Sequence, residues 1–232
     1  MKPKIICHIM GSVDGRILVD RWSKPYGGVP MGELMKAYSE TGSSLNTDVW
    51  TFGKNTITEI FPEKFHDSDA ASSRQSTSVF KAERTSRRLF IAIDPEADIK
   101  YPTNKLRGDD ILAIVGMNAT DEYLAFLRQQ DISYIVSEEI SNLRSILETV
   151  NREFGVVSIS LQGGGVLNGS MLNQGLIDEL SYLVYPGVDN SADSVSIFHS
   201  KNGLAFNISL ELLSLEKKPH GMVWMRYRIH ND

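Results

Sequence analysis

Three stretches carry residue types whose spacing suits chemistry. In the first, Gly163, Gly164 and Gly165 follow the apolar run 156–161. They precede Val166, Leu167, Ser170, Met171 and Leu172 at helical spacing. Glycines between a strand and a helix leave bare backbone N–H groups at the positive end of the helix dipole, a seat for an anion such as phosphate. The same glycines equally suit a tight strand-to-helix turn that needs them for sterics alone. In the second stretch, Gly11-Ser12-Val13-Asp14-Gly15, the glycines place Ser12 and Asp14 at a strand end. There Asp14 is either a substrate-facing carboxylate or an Asp-Gly turn residue. The third stretch is Gly53-Lys54-Asn55-Thr56. It fails the P-loop pattern, because no glycine stands five residues before Gly53 and no Ser or Thr follows Lys54 directly. Gly53, Asn55 and Thr56 can still open a helix whose first amides meet a phosphate.

The elements that must position these residues alternate. Strands are predicted at residues 4–10, 48–52, 89–93, 111–115, 132–136 and 156–161, and another runs from Asp178 toward Pro186. Helices are predicted at residues 31–40, from Thr120 onward, over Leu143, Ile146, Leu147 and Val150 to Gly155, and after the glycines to Gly175. Residues 210–215 and 222–229 flank Lys217-Lys218-Pro219-His220-Gly221 and read as a hairpin. In its second strand Val223, Met225, Tyr227 and Ile229 alternate with Trp224, Arg226 and Arg228, which predicts that the first set faces a dry side. This order predicts an α/β fold with a mainly parallel central sheet, helices on both faces and an antiparallel C-terminal hairpin, in one domain over residues 1–232. Residues 18–30 suit an irregular loop in which Trp22 and Tyr26 either close over a ligand or pin the loop. The polar stretch 66–88 reads as a mobile surface excursion whose basic end is Arg84, Arg87 and Arg88.

Bulk composition limits the function classes. The chain has 232 residues, 41% hydrophobic and 23% charged, as in an ordinary globular protein. A formal net charge of −5 argues against broad electrostatic binding to nucleic acid. The single cysteine, Cys7, excludes an internal disulfide and a cysteine-based metal cluster. No stretch approaches the ~18 apolar residues of a membrane span, and no signal peptide is read at the N-terminus, so a cytoplasmic protein is expected.

Taken together, the segments Ser12-Val13-Asp14-Gly15-Arg16-Ile17, residues 48–56, Gln162-Gly163-Gly164-Gly165-Val166-Leu167-Asn168-Gly169 continuing through Leu180, and Pro186 resemble the reductase domain of riboflavin biosynthesis. That family has the dihydrofolate-reductase-like fold. The resemblance implies an NADPH-dependent reductase without a metal. It implies that Gly163, Gly164, Gly165, Val166 and Leu167 hold the cofactor's diphosphate, that Gly53, Asn55 and Thr56 also line the cofactor, and that Ser12 and Asp14 lie beside nicotinamide and substrate. The implied reaction delivers hydride to C1 of the ring-opened ribosylamino group of a pyrimidine phosphate, with Asp14 positioning the substrate and relaying a proton and Ser12 assisting. A homodimer is also implied.

Three positions depart from the family pattern. Gln162 stands where a Glu is usual in the substrate site, Ile60 where an Asp is common, and Ser44 where an Arg is often found. Each bears on the substrate more than on the cofactor. Two alternatives are therefore carried: a reductase of the same fold acting on another small heterocycle or carbonyl compound, and a nucleotide-binding protein without turnover. With one cysteine, no fused zinc deaminase motif exists in the chain.

Overall fold

The computed structural model describes residues 1–66 and 78–231. In chain order the elements are β1 (Lys4–Ser12), α1 (Met31–Ser44), β2 (Val49–Phe52), α2 (Lys54–Ile60), β3 (Ser78–Phe80), β4 (Leu89–Asp94), β5 (Lys105–Leu106), β6 (Asp109–Gly116), α3 (Asp121–Gln129), β7 (Ser133–Ser137), α4 (Leu143–Phe154), β8 (Ser158–Leu161), α5 (Gly165–Asn173), β9 (Glu179–Tyr185), β10 (Ile208–Lys217) and β11 (Val223–Asn231). Local chemistry sets several of these boundaries. Thr120 Oγ1 accepts from the Tyr123 amide at 3.0 Å and starts α3, and Asn142 Oδ1 accepts from the Ser145 amide at 3.1 Å and starts α4. Gly155 ends α4 in the left-handed region, at φ 67°.

These elements form two compact units, one of residues 1–3 and 48–157 and one of residues 4–47 and 158–232. In the first, the strand order is β2-β4-β6-β7-β3, with β5 paired to β6. The β2, β4, β6 and β7 pairings are parallel, whereas β3 and β5 run antiparallel to their neighbours. Every residue of β2, β4 and β7 is buried, so these strands read as near-continuous apolar runs, as parallel strands covered on both faces do. Trp50, Phe52 and Phe90 form the aromatic centre of this core, with ring centroids 5.0–5.8 Å apart.

In the second unit the order is β10-β11-β9-β1-β8. β1 lies parallel to both β8 and β9 and is buried from Ile5 to Ser12, while β9-β11-β10 is antiparallel. The mainly parallel sheet with an antiparallel C-terminal hairpin is thus present as predicted. Trp22 is buried against Tyr185, 4.5 Å between ring centroids, whereas Tyr26 is fully exposed. The pinning role therefore falls to Trp22 alone.

Two sequence expectations are corrected. On β11 Trp224 is buried, packed with Met10, Leu34 and Leu183, and of the set expected to face the dry side Ile229 is buried while Val223, Met225 and Tyr227 are only half-buried. Alternation located the two faces, but the one expected to be dry is buried only at Ile229, and the one expected to be mixed buries Trp224, whose large indole donates through Nε1–H to Ser181 Oγ at 2.8 Å. Within the stretch 66–88, Ser78–Phe80 pairs with β7, and Phe80 stacks on Tyr134, so this part belongs to the sheet edge. The expectation for residues 67–77 lies outside the described residues. Among the described residues no helix is long and apolar enough to cross a membrane.

Candidate active site

β1 ends at Ser12 and turns sharply, and the turn fixes Asp14. Ser12 Oγ donates to Asp14 Oδ1 at 2.6 Å and accepts from the Arg16 amide at 3.0 Å. The Asp189 and Asn190 amides donate to the same carboxylate at 3.1 and 2.8 Å. The Ser12 hydroxyl and the Asn190 amide hold the exposed Asp14 carboxyl down to about 2, so it is ionised at neutral pH. Asp14 is thus a turn residue whose carboxylate is also exposed. Ionised, it can accept hydrogen bonds or face a cation. As an ionised carboxylate it does not carry a proton of its own at neutral pH. Tyr182 supports the turn from beneath, its hydroxyl donating to the Ser12 carbonyl at 2.6 Å. Burial, and then the Asp14 charge, push its phenol up to about 12.

Gln162 and Gly163 link β8 to α5, with Gly164 as the helix cap at φ 47°, ψ 136°, a backbone conformation that L side chains rarely adopt. No side chain caps α5, and no acidic residue lies in its first turn. A ligand anion would meet its amides without a carboxylate competing for them. Val166 is 54% exposed beside this turn, and Leu167 is half-buried. Gly165 is required for a different reason: a Cβ there would stand 2.1 Å from the Ser196 carbonyl oxygen. The steric requirement thus falls on Gly165, while Gly164 supplies the backbone conformation that opens the helix.

Residues 187–199 form a clasp that the sequence reading left unassigned. On one side it meets the Asp14 turn: the Val13 amide donates to the Gly187 carbonyl at 2.8 Å, Ile17 to Val195 at 3.0 Å, and Ile197 to Gly15 at 3.0 Å. Arg16 Nη1 adds a bond to the Ser194 carbonyl at 2.7 Å. On the other side, the His199 amide donates to the Gly165 carbonyl at 2.9 Å, and Asn168 Nδ2 donates to the Ile197 carbonyl at 2.9 Å. The clasp therefore brings together the Ser12–Asp14 turn and the start of α5. Its sequence signal was faint, a run of Asp, Asn and Ser after Pro186 that fits turns without naming their partners.

The three departures are placed as follows. Gln162 Nε2 donates to Ser160 Oγ at 3.1 Å. Ser44 Oγ donates within its own helix, to the Thr41 carbonyl at 2.7 Å. Ile60 packs against the core of the first unit. In that unit Gly53 caps α2, with Asn55 exposed and Thr56 half-buried in its first turn. Lys54 is engaged by carboxylates. Its ammonium bonds Asp94 and Asp98, which outweigh the burial that disfavours its charge. The buried Asp94 carboxylate also accepts from the Asp98 and Ile99 amides and from the Tyr123 hydroxyl, each at 3.1 Å.

A family model, the RibD C-terminal domain, matches residues 3–223. No curated protein matches the sequence. Among solved structures, the chain is similar to a pyrimidine reductase-like protein from Corynebacterium diphtheriae, with a TM-score of 0.67 and 15% identity over 99% of this chain and 93% of that one. It is similar to the riboflavin biosynthesis reductase Rib7 of Saccharomyces cerevisiae, TM-score 0.60 and 14% identity, over 99% and 90% of the two chains. Acinetobacter baumannii RibD gives a TM-score of 0.60 and 13% identity, and the chain spans 58% of that protein's length. At these identities the likeness establishes the fold, which is dihydrofolate-reductase-like.

Proposed function

The chain belongs to the RibD C-terminal domain family, and from that premise we propose that it is an NADPH-dependent reductase acting on a phosphoribosylamino-pyrimidine or a close relative. The reading is carried by one observation: an uncapped, glycine-started helix and the ionised Asp14 turn are fastened to the same clasp within one unit. The first turn of α5 fits a diphosphate, since its amides are free of side-chain caps and of acidic neighbours. Gly163, Gly164, Gly165, Val166 and Leu167 would hold it there. Gly53, Asn55 and Thr56 are assigned to the cofactor on the family resemblance alone.

When bound, NADPH supplies the hydride that adds to C1 of the ring-opened ribosylamino group. The protein's task is alignment and charge placement. Asp14 accepts hydrogen bonds from the sugar and stabilises the positive charge of the protonated imine, while Ser12 fixes the carboxylate's orientation. With Asp14 ionised, the amine proton comes from solvent. The test is a titration of NADPH against tryptophan fluorescence, followed by loss of NADPH absorbance with 5-amino-6-(5-phosphoribosylamino)uracil. Absence of saturable NADPH binding overturns the reading.

A second substrate is favoured by a specific observation. Ile60 is a packing residue, Ser44 bonds its own helix and Gln162 is a neutral amide, so these positions offer no charge to a substrate. Binding of NADPH without turnover of that pyrimidine, with turnover of another heterocycle or carbonyl compound, selects this reading. Association as a homodimer is part of the proposal. Leu210, Leu212 and Leu215, each at least 50% exposed, form an apolar row on one face of the edge strand β10, paired with the buried Ile229 and the half-buried Tyr227 and Met225 of β11. An uncovered apolar sheet face of this kind marks an association surface.

A further inference from the structure

The peptide groups of Ile197 are held from two sides. The carbonyl accepts from Asn168 Nδ2 at 2.9 Å, and the amide donates to the Gly15 carbonyl at 3.0 Å. Asn168 belongs to α5, and Gly15 directly follows Asp14. Gly165 and Gly169, four residues apart on that helix, leave a strip without side chains on which the clasp backbone lies. A Cβ at Gly165 would stand 2.1 Å from the Ser196 oxygen, and one at Gly169 would stand 2.3 Å from the His199 oxygen. Asn168 adds a directional side-chain bond to this close backbone approach.

Stability alone explains Asn168 poorly. It is fully buried, and its Oδ1 has no hydrogen-bond partner among the described residues. A buried acceptor left unpaired costs stability, a cost an aliphatic side chain would avoid. What the amide supplies and an aliphatic side chain cannot is the fixed position of Ile197. At the far end of the clasp, the Asp189 and Asn190 amides hold the Asp14 carboxylate.

We infer that Asn168 is a positioning residue: by holding the Ile197 carbonyl it sets, through the clasp, where the Asp14 carboxylate stands relative to the start of α5. The catalytic consequence rests on the reductase reading above, whereas the mechanical link does not, and the two are tested separately.

The mechanical test is hydrogen exchange on ligand-free protein. In Asn168→Ala, exchange rises about tenfold or more in peptides covering residues 12–17 and 187–199 and stays unchanged in β4 and β6. Unchanged exchange at residues 12–17 and 187–199, or equal acceleration throughout the chain, overturns the inference. If Asn168→Ala does not fold, Asp14→Asn carries the same test from the other end, since Asp14 is exposed. Faster exchange that reaches Ile197 and His199 supports one continuous clasp, and faster exchange confined to residues 189 and 190 overturns it. The catalytic test uses NADPH and the phosphoribosylamino-pyrimidine. Asn168→Ala lowers kcat about tenfold with NADPH affinity within about threefold, and the double variant with Asp14→Asn is no slower than Asp14→Asn alone. Additive losses mean that Asn168 does not act through Asp14. A wild-type protein that does not bind NADPH sinks the reductase reading, while the exchange result still decides the inference.

Discussion

The Ser12 hydroxyl donates to the Asp14 carboxylate at 2.6 Å and is thereby committed to orienting it. With that bond and the Asn190 amide, the Asp14 carboxyl sits at about 2. A carboxyl depressed in the folded state keeps its charge above its ordinary range and loses it only as pH falls toward the folded value. The pH profile of kcat/KM is therefore expected to show no limb from Asp14 between about pH 5 and about pH 9. On the proposed reading, in which Asp14 faces substrate and the α5 glycines face diphosphate, Asp14→Asn should lower kcat about a hundredfold while NADPH affinity changes little. Steady-state kinetics beside a fluorescence titration check both, and an unchanged kcat removes Asp14 from the mechanism.

The adjacent glycines should separate by phenotype. Gly164→Val forces a β-branched residue into φ 47° and crowds the anion seat, so NADPH affinity should fall along with about 1–3 kcal/mol of stability. Gly165→Ala instead drives a Cβ into the Ser196 carbonyl at 2.1 Å. Its main effect should be displacement of the clasp, read as a lower Tm and as protease cleavage within residues 187–199. Equal effects of the two substitutions on NADPH affinity would contradict this division.

The parallel strands were legible because each is a buried β-branched or aromatic run, as in Leu89 to Ile93, and helix ends were legible where a capping residue such as Thr120 or Gly155 stands. The glycine turn was legible for the same local reason. What the sequence concealed depends on contacts between distant segments. Nothing near residue 14 announces that its carboxylate will meet amides 175 and 176 residues away. Nothing near Asn168 announces Ile197. The burial of Trp224 on β11 was missed because alternation shows that two faces differ without showing where each one has a partner.

His8 gives the fold a pH dependence. Its Nε2 faces the Tyr38 carbonyl at 3.1 Å and so carries the proton, leaving Nδ1 to accept from the Ser181 hydroxyl at 3.0 Å. Burial holds the imidazole neutral, lowering it from 6.5 to about 4. The unfolded chain then binds a proton that the folded one refuses. The stability contribution is complete above about pH 6.5 and is lost as pH falls toward about 4, by about 3 kcal/mol at the limit. Urea midpoints at about pH 7 and about pH 4.5 should differ more for the wild type than for His8→Gln. Equal differences would show that another group governs this window.

Lys54 tests whether the Gly53 segment is a phosphate cradle or a structural joint. Its ammonium pairs with Asp94 and Asp98, and Asp94 is fully buried. Lys54→Met leaves the Asp94 charge with three neutral donors and no cation, so stability should fall by about 3 kcal/mol. Adding Asp94→Asn to Lys54→Met should restore part of that loss, because the uncompensated charge is gone. A phosphate-binding lysine would show the opposite pattern, with NADPH affinity lost, the denaturation midpoint unchanged and no recovery in the double variant.

The apolar face of β10 and β11 yields the assembly prediction. A register shift between Leu212 and Ser214 adds one residue to β10, which brings Leu215 onto the face shared by Leu210 and Leu212. Without the shift, Ser214 would occupy that place. The bulge therefore extends an exposed apolar row, which is a liability on an edge strand unless another surface covers it. Leu212→Glu places a charge at the centre of the row, where burial in an interface would cost several kcal/mol and exposure in a monomer would cost little. Sedimentation should show a dimer for the wild type and a monomer for Leu212→Glu, with the Tm of the variant independent of substitution at Leu215. A wild-type protein that sediments as a monomer at high concentration refutes the association, and a variant that stays dimeric moves the interface to another face.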